Sequence, residues 1–269
     1  MKCIIIFFIL VMVNSAIAKA QLPENSVNFS QNILSKKNKN EFDGGKLSSE
    51  ELVQKMTKYD FSSIWLEKDN DVLGFIGDDY QRLNIRLISV IKCSDDFTKY
   101  YVYGKSMVKN NICIFIGEIK LLHIKQIIFD DDVKQILFEE HQDESEKSNR
   151  YLAPEYVLLA QYSFFEDQKE KSTGKFNGIL KTNFYIHNDN VYYNDFRIEM
   201  SDKFNNNQYV GVWTSYATGK SKICNWGDFR IPFSGNLDIG IGEFSPNPTY
   251  YQKGWDSYSN QKPNKGWWK

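Results

Sequence analysis

The chain has 269 residues and a mass of 31.5 kDa, and it is 42% hydrophobic, 25% charged and 15% aromatic. It is too apolar for disorder and lacks any collagen-like or disulfide-dense bias, so it reads as one large globular domain or two small ones. Lys+Arg 33 against Asp+Glu 34 gives a net charge of −1, and no basic surplus points to nucleic acid.

The first twenty residues carry the clearest signal. Lys2 supplies a positive start, Ile4 to Val13 is an unbroken apolar run of ten, and Ala16, Ala18 and Ala20 place small residues at −3 and −1 of two cleavage sites. This is the pattern of a secretory signal peptide over residues 1–20. A membrane-spanning helix needs about 17–25 apolar residues, more than this run holds. Cutting after Ala20 removes Lys2 and Lys19 and leaves 31 cations against 34 anions, net −3. Cys3 precedes the apolar run, which argues against a lipid anchor. No later stretch reaches 18 apolar residues, so no membrane span is expected after cleavage.

Residues 21–45 are rich in Asn, Ser and Lys and read as a flexible leader before a single β-rich domain over 46–269. Ser48 and Glu51 have the spacing of a capping box, with Leu52, Met56 and Tyr59 behind them, which predicts a short N-terminal helix to about Tyr59. From Leu73 onward the apolar period is two. Between Tyr80 and Cys93 the odd positions Leu83, Ile85, Leu87 and Ile91 are apolar and predicted inward. After a turn at Ser94 to Phe97, the even positions Tyr100, Val102, Gly104, Ser106 and Val108 form the inward face. A two-residue turn at Asn110-Asn111 leads to Cys113, Phe115, Gly117, Ile119 and Leu121. Both turns pair odd with even positions, so one hydrophobic face crosses three antiparallel strands without conflict.

Further strands are predicted at 156–165, 176–187, 190–198, 208–216, 228–232 and 237–244, with a turn at Asn188-Asp189. Residues 130–150 hold most of the acidic runs and are either a short helix or a solvated excursion between two halves. Tyr101-Val102-Tyr103 and Phe115-Ile116-Gly117 recur 61 residues later as Tyr162-Ser163-Phe164 and Phe176-Asn177-Gly178, consistent with two meander halves or with chance. The fold class is all-β, an antiparallel meander forming a barrel-like or sandwich domain.

Export permits disulfides among Cys93, Cys113 and Cys224. The meander places Cys113 opposite Val108 and Cys93 about 25 Å away along the neighbouring strands, which rejects that pair. Either thiol could still meet Cys224, or Cys93 and Cys113 pack as small apolar residues on the inward face. His123 continues an inward parity and reads as a core imidazole; His141 and His187 have no zinc spacing. Asp69-Asn70-Asp71 lacks the remaining ligands of a calcium loop. Asp238 and Glu243 are both carboxylates near a possible rim, and a glycosidase needs two such groups about 5–10 Å apart. No motif assigns a catalytic residue, metal or cofactor.

Five of the six tryptophans follow residue 212. Trp213, Tyr216, Trp226 and Arg230 fall in one short segment and are the candidate ligand-binding residues: aromatic faces for stacking, Arg230 for an anionic or hydroxyl-rich group. The alternative is that the tryptophans plug the core. Gly211-Val212-Trp213, after Phe204 and Asn207, resembles the Gly-x-Trp signature of lipocalin-like barrels, although here too few residues follow for eight strands. The run Cys224-Asn225-Trp226-Gly227-Asp228-Phe229-Arg230-Ile231-Pro232, with residues 237–244, resembles uncharacterised secreted proteins of Bacteroidetes, which implies a secreted or periplasmic location and no known activity. The leading function is a secreted, non-catalytic binding protein for an apolar or glycan small-molecule ligand. The alternatives are a secreted hydrolase, or a structural or partner-binding envelope protein.

Overall fold

The computed structural model describes residues 21–35, 45–66, 72–131, 135, 153–195, 204–256, 258 and 266–269. Residues 1–20, for which a cleaved leader is expected, Asp69-Asn70-Asp71, His141 and most of 130–150 lie outside these residues. Among the described residues, ten strands form one antiparallel sheet: β1 (Lys46–Leu47), β2 (Val72–Ile76), β3 (Gln81–Lys92), β4 (Lys99–Val108), β5 (Asn111–Ile128), β6 (Glu155–Glu166), β7 (Gly174–His187), β8 (Asn190–Tyr193), β9 (Asn206–Ser215) and β10 (Ser221–Asp228). β5 pairs with β6 and β10 with β2, so eight of them close into a ring. The ring follows chain order through β2–β7, β9 and β10, with β8 extending the hairpin from β7. Closure removes the free edges that a flat meander would leave.

The interior is occupied by side chains, as expected of an eight-stranded barrel. Tyr209 stacks on Trp226 at 4.5 Å, Trp226 meets Tyr162 at 5.1 Å and Phe176 at 6.0 Å, and Phe115 stacks on Phe164 at 5.0 Å. One end is plugged by α2 (Val53–Met56) and α3 (Ser62–Trp65), whose Phe61 flank and Trp65 meet Phe184 and Tyr100 at 5.2 and 4.9 Å. The Trp65 indole N–H donates to Thr182 Oγ1 at 3.1 Å, and Asn207 Nδ2 donates to the Ile64 carbonyl at 2.9 Å. These bonds satisfy polar groups that burial would otherwise penalise.

The two faces alternate as the period-two pattern predicts until the strands bulge. Leu83, Ile85, Tyr100, Val102, Phe115, Ile119 and Leu121 are buried on the inside. A register shift between Leu87 and Ser89 then turns Val90 inward and leaves Ile91 62% exposed, against the expectation for Ile91. A second shift between Leu121 and His123 turns Ile124 inward and His123 out to Glu51. An extra residue in one strand exchanges the two faces beyond it. The β4–β5 turn is Lys109-Asn110, with Lys109 at φ 55°, so Val108 pairs with Asn111 and Cys113 lies opposite Ser106 rather than Val108. Asn188 and Asp189, both at positive φ, turn β7 into β8 as expected.

Other expectations are corrected. Residues 21–45 contain α1 (Glu24–Leu34), whose Phe29 and Ile33 cover Val157, Leu159, Ile179 and Val210 on the outside of the barrel. Its Ser26 hydroxyl donates to the Val210 carbonyl at 2.7 Å. The tenth strand is Ser221–Asp228, not 228–232, and 237–244 is not a strand. The segment after β10 instead packs Ile231, Leu237, Phe244 and Trp255 on the outward side chains Leu73 and Phe75. Cys93, Cys113 and Cys224 are free, buried thiols.

Candidate functional site

The four aromatic-segment candidates do not converge on one surface. Trp226 is 2% exposed in the middle of the barrel. Trp213, on β9, faces the same interior across from Phe176, nearer the end away from the helices. Tyr216 follows β9 at that end, its N–H donating to the Thr173 carbonyl at 3.0 Å. Arg230 lies outside the barrel, donating to Asp238 Oδ2 at 2.5 Å and to the carbonyls of Gly240, Ile241 and Gly242. Its guanidinium holds the 238–242 loop. Asp238 also accepts the N–H groups of Gly240 and Ser245 at 3.0 and 3.1 Å, so this carboxylate from the suggested glycosidase pair fastens a loop. Gly211 of the Gly-x-Trp run lies opposite Gly178, and a Cβ there would collide with the Asn177 carbonyl and the Tyr162 hydroxyl. The motif here serves packing between β7 and β9.

A buried carboxyl sits beside Trp213. Glu166 Oε1 accepts the Ser106 hydroxyl at 2.5 Å, and Oε2 accepts Gly174 N–H at 2.8 Å and Trp213 Nε1–H at 2.9 Å. Burial pushes the Glu166 carboxyl above the usual carboxylate range, against these three donors. Burial likewise pushes the nearby Cys113 thiol up to about 11, so it stays protonated near neutrality. A perturbed carboxyl is a functional signal only when substrate can reach it; Glu166 is 5% exposed and engaged on both oxygens.

At the helical end, a groove of about 550 Å³ opens to solvent between α2 and the β3–β4 turn. Gln54 and Thr57 form one wall, Asp95, Asp96 and Phe97 the other, and Lys120 on β5 stands beside them. The size lies within the range of small-molecule sites. Phe97 is 56% exposed, with the Lys92 ammonium 5.4 Å from its ring. Lys92 also donates to the carbonyls of Thr57 and Tyr59 at 2.5 and 2.6 Å, fixing the wall to the end of β3. Glu51 anchors the other side: its Oε1 accepts N–H from Leu52, Val53 and Ile124 at 3.1, 3.3 and 2.9 Å, and its Oε2 lies 2.8 Å from His123 Nδ1. Glu51, one residue before the Leu52 N-cap, thus ties the start of α2 to β5, in place of the reciprocal capping box that the Ser48/Glu51 spacing predicts. Burial raises its carboxyl, but the bonds to Ile124, His123 and Val53 outweigh burial and hold it below the usual range. Asp96 is also held low, by the Thr98 hydroxyl and N–H at 2.5 and 3.0 Å.

The groove was missed because its residues fall in a turn and a short helix that are not adjacent in sequence. The available signal was Phe97 itself, a large aromatic in an otherwise polar turn. No protein-family model, curated protein or solved structure matches the chain.

Proposed function

We propose that this is an exported, non-catalytic binding protein whose ligand is hydroxyl-rich, of glycan type, and sits in the groove beside Phe97. The groove carries this reading: one exposed aromatic face for stacking, with Gln54, Asp95 and Lys120 around it to orient hydroxyls. The filled barrel supports a surface ligand over an apolar one held inside. The N-terminal apolar run and its small-residue sites support export.

A hydrolase reading has less support. Glycoside hydrolysis uses a carboxylic acid with a raised pKa beside a second carboxylate. Glu51 and Asp96 are both held below their ordinary range, and the raised carboxyl, Glu166, is buried elsewhere.

The test is calorimetric titration of the full mature chain with a panel of soluble neutral oligosaccharides. Phe97→Ala is expected to weaken the best ligand about tenfold or more, the scale of a lost aromatic stack and its buried area, with thermal stability unchanged. Absence of binding across the panel, or equal affinity for Phe97→Ala, would defeat the proposal.

A further inference from the structure

The outer surface of β3–β6 has a composition unlike the rest of the barrel. Cross-strand pairing places Ser89, Tyr103, Ile116 and Phe165 in one row over four neighbouring strands. Ile91 and Tyr101 pair in the row on one side, and Ile114 and Ile112 follow on the other. With Ile88 at the bulge, these large side chains are 37% to 64% exposed. The row spans about 14 Å at ~4.8 Å per strand. Its exposed apolar area is on the order of 700 Å², above the ~300–600 Å² that a soluble monomer commonly shows as its largest patch.

The charges on this surface have one predominant sign. Lys105 lies opposite Ile114 and beside Arg86, Lys175 lies opposite Phe165, and Lys99 lies opposite Lys120. Against these cations stand Glu118, which Lys99 holds at 3.1 Å, Asp167, whose N–H donates to the Ile114 carbonyl at the end of that row, and Asp96, near Lys99 and Lys120. Arg86, Lys99, Lys105, Lys120 and Lys175 outnumber the three carboxylates, so the face carries a basic surplus although the whole chain is net −1.

We propose that this face docks on a membrane surface containing anionic lipid. Four features favour that occupant. A closed barrel is convex, so Tyr103 and Ile116 stand on a crest with cations on its flanks; a deformable interface fits that shape with no matching hollow. Aromatic and aliphatic side chains on the crest with lysine at the border match the headgroup boundary, where apolar groups insert and ammonium groups remain with lipid phosphate. A second copy would meet crest to crest and bring lysine against lysine. Strand addition is closed off, because β3–β6 are each paired on both sides.

The experiment is flotation of the full mature chain with vesicles of phosphatidylcholine alone and of phosphatidylcholine containing one-quarter phosphatidylglycerol. Flotation is expected with the anionic vesicles only and should fall as salt is raised. Replacing Lys105 and Lys175 by Ser is expected to weaken it about fivefold per lysine. Tyr103→Ser with Ile116→Ser should abolish it while leaving the thermal melt and the oligosaccharide affinity of the Phe97 groove intact. Flotation that ignores phosphatidylglycerol, or survives the Tyr103/Ile116 change, overturns the proposal. So does a dimer in sedimentation velocity that Ile116→Ser dissolves, or binding of soluble polyglutamate with no flotation.

Discussion

Glu166→Ala is the most informative single change to the interior. It deletes one acceptor group and leaves three donors behind: the Ser106 hydroxyl, Gly174 N–H and Trp213 Nε1–H. A stranded buried donor costs about 1–3 kcal/mol, and the Ser106 hydroxyl can rotate to a new partner, so the loss should be about 3–5 kcal/mol. A domain of this size loses roughly 2–4 °C of Tm per kcal/mol, which gives a fall on the order of 6–20 °C. Glu166→Gln is the control. Its carbonyl oxygen can face the two N–H donors while its amide donates to Ser106 Oγ, and it carries no buried charge. Because burial raises the Glu166 carboxyl in the folded state, its contribution is fully present below the ordinary carboxylate pKa and is lost as pH rises through the raised value. Glu166→Gln should therefore gain on the native protein between acid and neutral pH. Urea melts of the native, Ala and Gln proteins over that range measure both effects. Equal stability of the Ala and Gln variants would refute the account, as would an Ala variant within about 1 kcal/mol of the native protein.

The bulge in β3 predicts opposite outcomes at adjacent positions: Val90→Asp buries an unpaired charge and should prevent folding, whereas Ile91→Asp should shift stability by only about 0.5 kcal/mol in the same melt. Glu51, held below its ordinary range, contributes stability that is present above the ordinary carboxylate pKa and is lost as pH falls through the lowered value. The stability gap between the native protein and Glu51→Gln should therefore be widest at neutral pH and close toward acid, and a gap that widens in acid would contradict the assignment.

The meander was legible because local alternation suffices to place β3 through β5. Leu83, Ile85, Tyr100, Val102, Phe115 and Ile119 took their faces from period two alone. Ile91 and His123 went wrong for one shared reason: a bulge is a backbone event between strands, and nothing in the side-chain pattern of a single strand records it. Residues 21–45 read as a leader because α1 offers few apolar anchors; Phe29 and Ile33 become sufficient only when the outer face of β7 and β9 is present to cover. Trp226 and Arg230 are neighbours in sequence and so form one candidate group there, yet the turn after β10 sends one into the barrel and the other to a loop outside it. The sequence by itself determined strand alternation, the Asn188-Asp189 turn and the all-β class, all of them properties of neighbouring residues. Ring closure through β5–β6 and β2–β10, the filling of the interior, and the assembly of the groove from α2 and the β3–β4 turn were decided by tertiary structure. Each joins segments far apart in the chain, and such contacts form only once the whole barrel can bury them together.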